Sequence, residues 1–305
     1  MGLFLVDLTL LSSNFFNKYL YTCIMQKEFI NHLEKKLNLE ILALRQLYGG
    51  CINQAFKIET RSRNYFLKIN SDLDLFVSEE KGLVTLKSTN TFFIPEVVIC
   101  NKFKATHYLI MEFIESANQK DNFWQLFGQQ LAALHRNLEE RFGLGYNNYI
   151  GSLPQKNTFD FDSVEFFINS RILPQVRILE KTFAINIYSN FEKFFKLLPN
   201  LLPSEKPSLL HGDLWNGNYL VNNKGEPTLI DPSIYYGSRE VDIAMTKLFG
   251  GFPKEFYASY NLEFPLREKW EERVDIWNLY PLLVHANLFG GGYLKQIQSI
   301  LNQYN

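Results

Sequence analysis

Cysteine is scarce in this chain of 305 residues. The three cysteines, Cys23, Cys51 and Cys100, are odd in number and far apart, so the sequence indicates neither a disulfide framework nor a zinc site with closely spaced ligands. Such sparse cysteine usage is typical of a reducing compartment, and we expect the chain to be cytoplasmic.

Net charge and long hydrophobic runs are also lacking. The 31 basic and 32 acidic side chains nearly cancel, which argues against bulk electrostatic binding to nucleic acid or to an anionic membrane. No uncharged apolar run approaches the roughly 18 residues that a membrane-spanning helix needs. We therefore expect small or neutral partners, with no nucleic acid and no membrane among them.

The first 24 residues are apolar but do not have the features of a targeting segment. They lack the basic start and the small-residue cleavage site of a signal peptide, and Val6 stands where a myristoylation motif has Ser or Thr. Met25 precedes a predicted helix over 26–37. We predict that residues 1–24 are an N-terminal extension, from a mis-called start codon or loosely attached.

The pattern of the chain changes once, near residue 114. From 39 to 114 it consists of short β-rich runs, ILALRQLY, QAFKIET, NYFLKIN and HYLIMEFI, with one helical segment over 74–88. From 122 onward long helical patterns dominate, and Pro174 and Pro281 should kink or divide two of them. We predict an α+β, bilobal chain. Its N-lobe, 25–114, is a small antiparallel sheet with one crossing helix, and its C-lobe, 115–305, is larger and mainly α-helical.

The strongest motif is HGDLWNGN at 211–218, followed by a short predicted hairpin and by Asp231. In the protein-kinase signature an Asp accepts the substrate hydroxyl proton, an Asn five positions later binds magnesium, and an Asp beyond a hairpin binds magnesium on the ATP phosphates. We therefore predict a kinase that uses ATP and Mg²⁺. Asp213 is its predicted catalytic base, and Asn218 and Asp231 are its predicted metal ligands.

Each of these three residues has a structural explanation as well. Asp and Asn are common in turns and caps, so any one of them alone could serve only the backbone. Their order and spacing between short strands favour the catalytic interpretation. For His211 we expect a structural role, in which the ring packs against the loop and hydrogen-bonds to it.

The β-rich half contains candidate nucleotide-binding residues. A glycine turn is followed by a strand lysine and then by a helix glutamate, which is the order of the phosphate-binding elements in a kinase. We predict that Glu79 rather than Glu80 pairs with the lysine, because Glu79 shares the apolar face of its helix. By position alone, the last β-rich run should supply the hinge that binds adenine. The predicted nucleotide-binding residues are Gly49, Gly50, Cys51, Asn53, Lys68, Glu79, Met111, Glu112, Phe113 and Ile114.

From about residue 47 to the C-terminus the chain resembles a known family. The resemblance rests on YGGCINQAF, FVSEEKGL, FGLGYNNYIGSLPQKN, LLHGDLWNGN, IDPSIYYGSREVDIAMTKLFGGF and LYPLLVHANLFGGGY. These segments resemble the fructosamine kinases, also called ketosamine-3-kinases, which are relatives of the aminoglycoside phosphotransferases and have a protein-kinase-like fold. The resemblance implies transfer of the ATP γ-phosphate to O3 of a ketosamine, free or as glycated lysine on proteins. The phosphorylated adduct then sheds its sugar, which implies a role in deglycation.

The resemblance also implies site residues. Lys68 and Glu79 match the phosphate-binding lysine and its partner, and the three motif residues match the base and the metal ligands. Trp215 and His285 match positions of the sugar pocket. Trp215 could stack on a sugar ring or be a core aromatic, and His285 could bind a hydroxyl or be a buried structural histidine.

Three positions qualify this transfer of roles. Ser163 stands where the family often has Trp, which could reshape the sugar end of the site, and Ser233 stands where Ala usually follows Asp-Pro. Cys51 matches a family cysteine over the phosphates, so a disulfide there, within or between subunits, could switch activity. We expect a monomer or a homodimer.

Two alternatives remain open from the sequence. A kinase of the same fold could act on an aminoglycoside, choline or a free sugar. A pseudokinase could keep both lobes as a binding module without transferring phosphate.

Overall fold

The structure is a computed structural model and describes residues 27–47 and 53–304. Its N-terminal part holds helix α1, 27–37, and one antiparallel sheet in the order β1-β2-β3-β5-β4. The strands are β1 (Ile41–Leu47), β2 (Gln54–Thr60), β3 (Asn64–Asn70), β4 (Val97–Phe103) and β5 (Thr106–Glu112). Helix α2, Leu73–Ser88, connects β3 to β4.

Alternation along β5 gives the sheet two apolar faces. Tyr108 and Ile110 lie in a core shared with α1, whereas Leu109 and Met111 lie in a second core on the other face. Successive side chains of a strand point to opposite faces, which is why one strand serves both cores. The sheet is therefore covered on both sides.

Helix α2 begins at a side-chain cap and buries one face. The Asp72 carboxylate accepts a hydrogen bond from the backbone N–H of Asp74 at 3.0 Å, which satisfies a free donor of the first turn. Phe76, Leu83 and Leu86 are buried at helical spacing in the second core. Glu79 lies on this inward side, in agreement with the sequence interpretation.

The remainder of the chain is mainly helical. Its helices are α3 (Phe123–His135), α4 (Ser163–Phe166), α5 (Leu173–Phe183), α6 (Tyr188–Leu201), α7 (Glu240–Met245), α8 (Lys254–Glu263), α9 (Trp270–Phe289) and α10 (Gly292–Asn302). A π-helical turn, Phe167–Ile172, joins α4 to α5. Helices α3 and α8 pack closely at Gly128, where an added Cβ would lie 2.4 Å from the carbonyl oxygen of Phe256.

Three two-stranded ladders position the motif segments. They pair β6 (Asn148–Ile150) with β7 (Leu153–Gln155), β8 (Ser208–Leu210) with β11 (Tyr235–Gly237), and β9 (Tyr219–Val221) with β10 (Pro227–Leu229). The HGDLWNGN loop leaves β8, and the segment with Asp231 runs from β10 to β11. Because β8 and β11 pair, both segments meet at the same end of this ladder.

The predicted α+β class, with its small antiparallel sheet, crossing helix and helical remainder, is confirmed. Strand β4 was missed, although VVIC after Pro95 is a β-branched run that indicates a strand. Pro174 lies at the start of α5, after the π-helical turn. Helix α9 runs through Pro281, so Pro281 does not divide it, and the alternative expectation of a kink there stays a prediction. The lobe boundary at residue 114 stays a prediction.

Candidate active site

Hydrogen bonds from the side-chain amide of Asn218 hold the HGDLWNGN loop in its conformation. The Asn218 side chain donates from Nδ2 to the backbone oxygen and to Oδ2 of Asp213, both at 2.8 Å, which fixes the carboxylate. Gly212 has φ +82, and a Cβ there would lie 2.1 Å from the carbonyl oxygen of Ser233. Only glycine allows this close approach of the loop to the segment that follows Asp231.

Asp242 on α7 binds the backbone at the start of the HGDLWNGN loop. Its fully buried carboxylate accepts hydrogen bonds from the backbone N–H of His211 at 2.7 Å and of Gly212 at 2.9 Å, and from Nε2 of His135 at 3.2 Å. A buried carboxylate needs such donors to offset its lost hydration. Asp242 lies in the REVDIAM segment, where its spacing is that of an ordinary helical residue and does not indicate this role.

Lys68, Glu79 and Asp231 meet across the two parts of the chain. The Lys68 ammonium lies 2.6 Å from Oε1 of Glu79 and 2.5 Å from Oδ1 of Asp231. The lysine and Glu79 side chains are only 6% and 12% exposed, whereas Asp231 is 42% exposed and so remains accessible from solvent. Asp231 has φ +54, a left-handed conformation that Asp tolerates better than most residues. The structure therefore brings the predicted lysine, glutamate and Asp231 into direct contact.

The charges of the site are mutually dependent. Burial alone lowers the pKa of Lys68, but Asp231 and Glu79 more than offset it, so the pKa is raised and the lysine stays charged. Burial raises the pKa of the Glu79 carboxyl, and Lys68 opposes that shift. Burial raises the pKa of Asp213 to about 7, with Asn218 opposing and Asp231 reinforcing the shift. Within the described part of the chain, Asp213 forms no ion pair with a Lys or Arg side chain, whereas Asp231 is paired with Lys68.

His211 is a structural residue of the loop, as expected. Its Nε2 donates to the carbonyl oxygen of Ile230 at 2.9 Å, and its Nδ1 accepts from the backbone N–H of Asp213 at 3.3 Å. Burial lowers the pKa of the imidazole, which keeps the ring neutral and suited to this pair of bonds. The ring thus connects Asp213 to the segment just before Asp231.

The raised pKa of Asp213 predicts a pH-dependent cost to stability. The folded state keeps this proton to about pH 7, whereas the unfolded chain releases it near pH 4, so unfolding becomes easier as pH rises through that window. Asp213→Asn removes the ionisation. We measure the free energy of unfolding in urea, with EDTA present, for the variant and the wild type. The variant should gain stability relative to the wild type when the pH is raised from 5 to 8. An equal difference at both pH values would contradict a raised pKa.

The residues fit a magnesium ion. Among the described residues no group of three or more His, Cys, Asp or Glu side chains forms a preformed metal site. Magnesium commonly binds one or two carboxylates together with water and substrate phosphates, so the Asp231 carboxylate and the Asn218 amide oxygen suffice as protein ligands. Because Nδ2 of Asn218 faces Asp213, its amide oxygen faces away and is the atom available to a metal. The uncompensated charge of Asp213 also favours a cation nearby.

An aromatic cluster adjoins the loop. The Phe249 ring lies 5.6 Å from that of Trp215 and 4.9 Å from that of His285, and Tyr293 lies 5.3 Å from His285. Phe249 has φ +55, which is unusual for a bulky residue and marks a strained position. Trp215 packs directly over Gly217, where a Cβ would lie 2.5 Å from the indole ring. The structure thus joins Trp215 and His285 through Phe249, which the sequence analysis did not single out.

Comparison with known proteins identifies the family. Residues 25–305 match the family model for fructosamine kinase. The chain belongs to the fructosamine kinase family. It is 37% identical over 278 residues to a protein of Enterococcus faecium named as a probable ketoamine kinase, with 88% of this chain and 96% of the relative covered.

Solved structures agree with this assignment. A structure from Haemophilus somnus 129PT, assigned as a fructosamine-3-kinase, superposes with a TM-score of 0.82 at 29% identity, covering 90% of this chain and 96% of that one. Aminoglycoside phosphotransferase APH(4)-Ia superposes with a TM-score of 0.63 at 16% identity, over 90% of this chain and 98% of that one, and shares the fold alone. The predicted protein-kinase-like fold is confirmed.

The other predicted nucleotide residues of this fructosamine kinase family member are placed as follows. Gly49, Gly50 and Cys51 lie outside the described residues, as does the extension over 1–24, so their predicted roles stay predictions. Oδ1 of Asn53, just before β2, accepts a hydrogen bond from Asn70 of β3 at 2.6 Å.

The predicted hinge is split between strand and coil. Met111 and Glu112 end β5, and the backbone N–H of Glu112 is already bonded to the carbonyl oxygen of Glu96 at 2.8 Å. Phe113 and Ile114 follow the strand. Nζ of Lys57 lies 4.4 Å from the centre of the Phe113 ring. The residues after the strand are therefore better placed than Met111 and Glu112 to offer backbone groups to a ligand.

Ser163 is not part of the aromatic cluster. It lines a partly open cavity of about 200 Å³ together with Phe142, Phe161 and Glu205. No residue of the HGDLWNGN loop lines this cavity, and neither does Asp231. The candidate active site is therefore identified by its side chains and not by the cavity. The expectation that Ser163 shapes the sugar end receives no support from this position.

Within 27–47 and 53–304, no helix is long and apolar enough to cross a membrane.

Proposed function

We propose that this chain transfers the γ-phosphate of ATP to O3 of ketosamines, with Asp213 as the base. The contact of Lys68 with both Glu79 and Asp231, beside a loop in which Asn218 fixes Asp213, carries the proposal. The acceptor is suggested by relatives whose names specify ketoamine and fructosamine-3-kinase. Phosphorylation at O3 would destabilise the sugar adduct and so serve deglycation.

The proposed step depends on positioning. Asn218 donates a hydrogen bond to Oδ2 of Asp213, which leaves Oδ1 free for the substrate. Oδ1 would accept a hydrogen bond from the sugar hydroxyl and, late in the transfer, its proton. Lys68, held by Glu79, would bind the nonbridging phosphate oxygens. Asn218 and Asp231 would hold Mg²⁺, which neutralises the charge that develops on those oxygens. Phe113 and Ile114 would offer backbone groups to adenine.

The aromatic cluster suits the other end of the substrate. A ketosamine carries an amine that is a cation when protonated, and the faces of Trp215 and Phe249 attract such a cation. Nδ1 of His285 lies 2.7 Å from the carbonyl oxygen of Pro281 and must donate to it. Burial lowers the pKa of His285, so the ring is neutral and its Nε2 can accept a hydrogen bond from a sugar hydroxyl.

Shortening Phe249 tests this pocket. We expect Phe249→Leu to raise KM for a ketosamine about 3- to 10-fold, because an aromatic face is lost, and to leave KM for ATP unchanged. Steady-state kinetics with each substrate varied in turn measures both constants. Phe161→Leu is the control, since Phe161 is 78% exposed and lines the separate cavity. Equal KM changes for ATP and ketosamine would argue against a pocket for the acceptor.

The reaction itself is tested by product identification. Purified protein is incubated with Mg²⁺, ATP and either deoxymorpholinofructose or a glycated lysine peptide, with kanamycin, choline and fructose as alternative acceptors. Phosphorus NMR should show a ketosamine phosphorylated at O3. A preference for another acceptor would favour the same-fold alternatives. Binding of Mg²⁺ and ATP without any transfer would favour a pseudokinase.

A further inference from the structure

A buried network of side-chain amides lies behind the segment that follows Asp231. The network comes from the β6–β7 hairpin and the residues after it. Asn148, Gln155 and Asn157 are 4%, 1% and 1% exposed, and Arg171 beside them is 1% exposed. They belong to the NYIGSLPQKN motif and to the π-helical turn, to which the proposed reaction gives no role. Polar groups so deeply buried are costly unless paired, and the three amides are paired with one another, with Arg171 and with backbone carbonyl groups.

Arg171 sets the direction of every amide in this network. A guanidinium only donates, so the Asn157 oxygen must face it, at 2.8 Å from Nη2. The Asn157 nitrogen then donates to Oδ1 of Asn148 at 2.7 Å. Gln155 donates to the same oxygen at 2.9 Å, while its own oxygen accepts from the Tyr280 hydroxyl at 2.8 Å. None of the three amides can flip without breaking a bond.

The network ends on two consecutive carbonyl oxygens just beyond Asp231. Gln155 donates to the carbonyl oxygen of Ser233 at 3.0 Å, and Asn148 donates to that of Ile234 at 2.8 Å. On its other side, the Ser233 backbone N–H donates to the carbonyl oxygen of His211 at 2.9 Å. The segment after Asp231 is thus clamped between the hairpin and the HGDLWNGN loop.

We propose that Gln155 and Asn148 are positioning residues that fix Asp231 for metal–nucleotide binding by holding the carbonyl groups of Ser233 and Ile234. This inference rests on the proposed role of Asp231. The two amides do not touch substrate, and they act through the backbone that sets the place of the Asp231 carboxylate. Losing them lets that carboxylate move relative to Asp213 while both side chains are retained.

The test replaces one donor by an isosteric acceptor. Gln155→Glu sets a carboxylate oxygen against the Ser233 carbonyl oxygen, which must then move. Changes to residues that orient metal ligands typically cost 10- to 100-fold in metal affinity. We expect the affinity for Mn²⁺–ADP, measured by calorimetry, to fall about 10- to 100-fold, with a lower kcat and a ketosamine KM changed less than about 2-fold.

A matched control separates positioning from stability. Asn287 makes the same pair of bonds elsewhere in the helical part, donating to the backbone oxygen of Gln175 at 3.0 Å and to its side-chain oxygen at 2.8 Å. Asn287→Asp should lower the melting temperature comparably and leave Mn²⁺–ADP affinity unchanged. If Gln155→Glu does not fold, the neutral Gln155→Met removes the same bonds without a buried charge and should weaken Mn²⁺–ADP binding in the same way.

Two outcomes would overturn the inference. One is unchanged Mn²⁺–ADP affinity in a folded Gln155 variant, and the other is an equal loss in the Asn287 control. Because calorimetry needs no acceptor, failure of ketosamine phosphorylation would remove the proposed substrate and leave this result standing.

Discussion

Replacing Asp213 by asparagine is expected to lower kcat for ketosamine phosphorylation about 100- to 10,000-fold, which is the usual contribution of a positioned general base. The amide keeps the size of the side chain and its hydrogen bond with Asn218 can re-form through the oxygen, so the fold should persist. What is lost is the carboxylate oxygen that, in the proposed reaction, would align the acceptor hydroxyl and take its proton. Initial rates at saturating ATP and ketosamine measure the effect.

The control is Asp121→Asn, the same change at an exposed position just before α3. It should leave kcat within about 2-fold, because surface substitutions away from the site rarely matter. Calorimetry should show that Asp213→Asn still binds Mn²⁺–ADP, since Lys68 and Asp231 are untouched. A variant with near wild-type kcat would exclude Asp213 as the base.

Replacing Asp242 by asparagine is expected to damage both stability and activity. One of the two backbone N–H groups, of His211 or Gly212, would then face an amide N–H instead of a carboxylate oxygen. An unsatisfied buried donor together with loss of charge-assisted bonds costs about 3 kcal/mol, so the free energy of unfolding should fall by about that amount. Displacement of the loop by 1 Å would lower kcat about 100-fold.

Urea unfolding and kinetics on the same preparation measure these two effects. Asp275→Asn is the matched control, because Asp275 is an exposed aspartate on α9. It should change neither the free energy of unfolding nor kcat appreciably. An Asp242→Asn variant with wild-type stability would mean that the backbone groups of His211 and Gly212 do not depend on the carboxylate.

The local parts of this fold could be read from the sequence. Alternation predicted β2, β3 and β5 closely, and the spacing of apolar residues along α2 placed Glu79 on the inward side, where it meets Lys68. The loop motif was readable for the same reason, since Asp213 and Asn218 contact each other within five residues. Patterns of this kind record interactions between near neighbours in the chain.

The remaining features depend on contacts between distant residues, which periodicity does not record. Asp242 has the spacing of an ordinary helical residue, and its task appears only when α7 lies behind the loop. Phe249 reads as the apolar end of a helical run, yet the chain leaves the helix before it and turns left-handed. The amides of the β6–β7 hairpin read as turn residues because their acceptors lie about 80 positions away.

The close approach of α2 to Pro232 constrains how sequences of this kind can diverge. A Cβ at Gly82 would lie 3.1 Å from Cγ of Pro232, so a side chain there would press on the residue next to Asp231. Relief requires a residue smaller than proline at position 232 or a small shift of the α2 backbone, and α2 also carries Glu79, which contacts Lys68. A side chain at position 82 should therefore be tolerated best together with a residue smaller than proline at 232, whereas a smaller residue at 232 needs no change at 82.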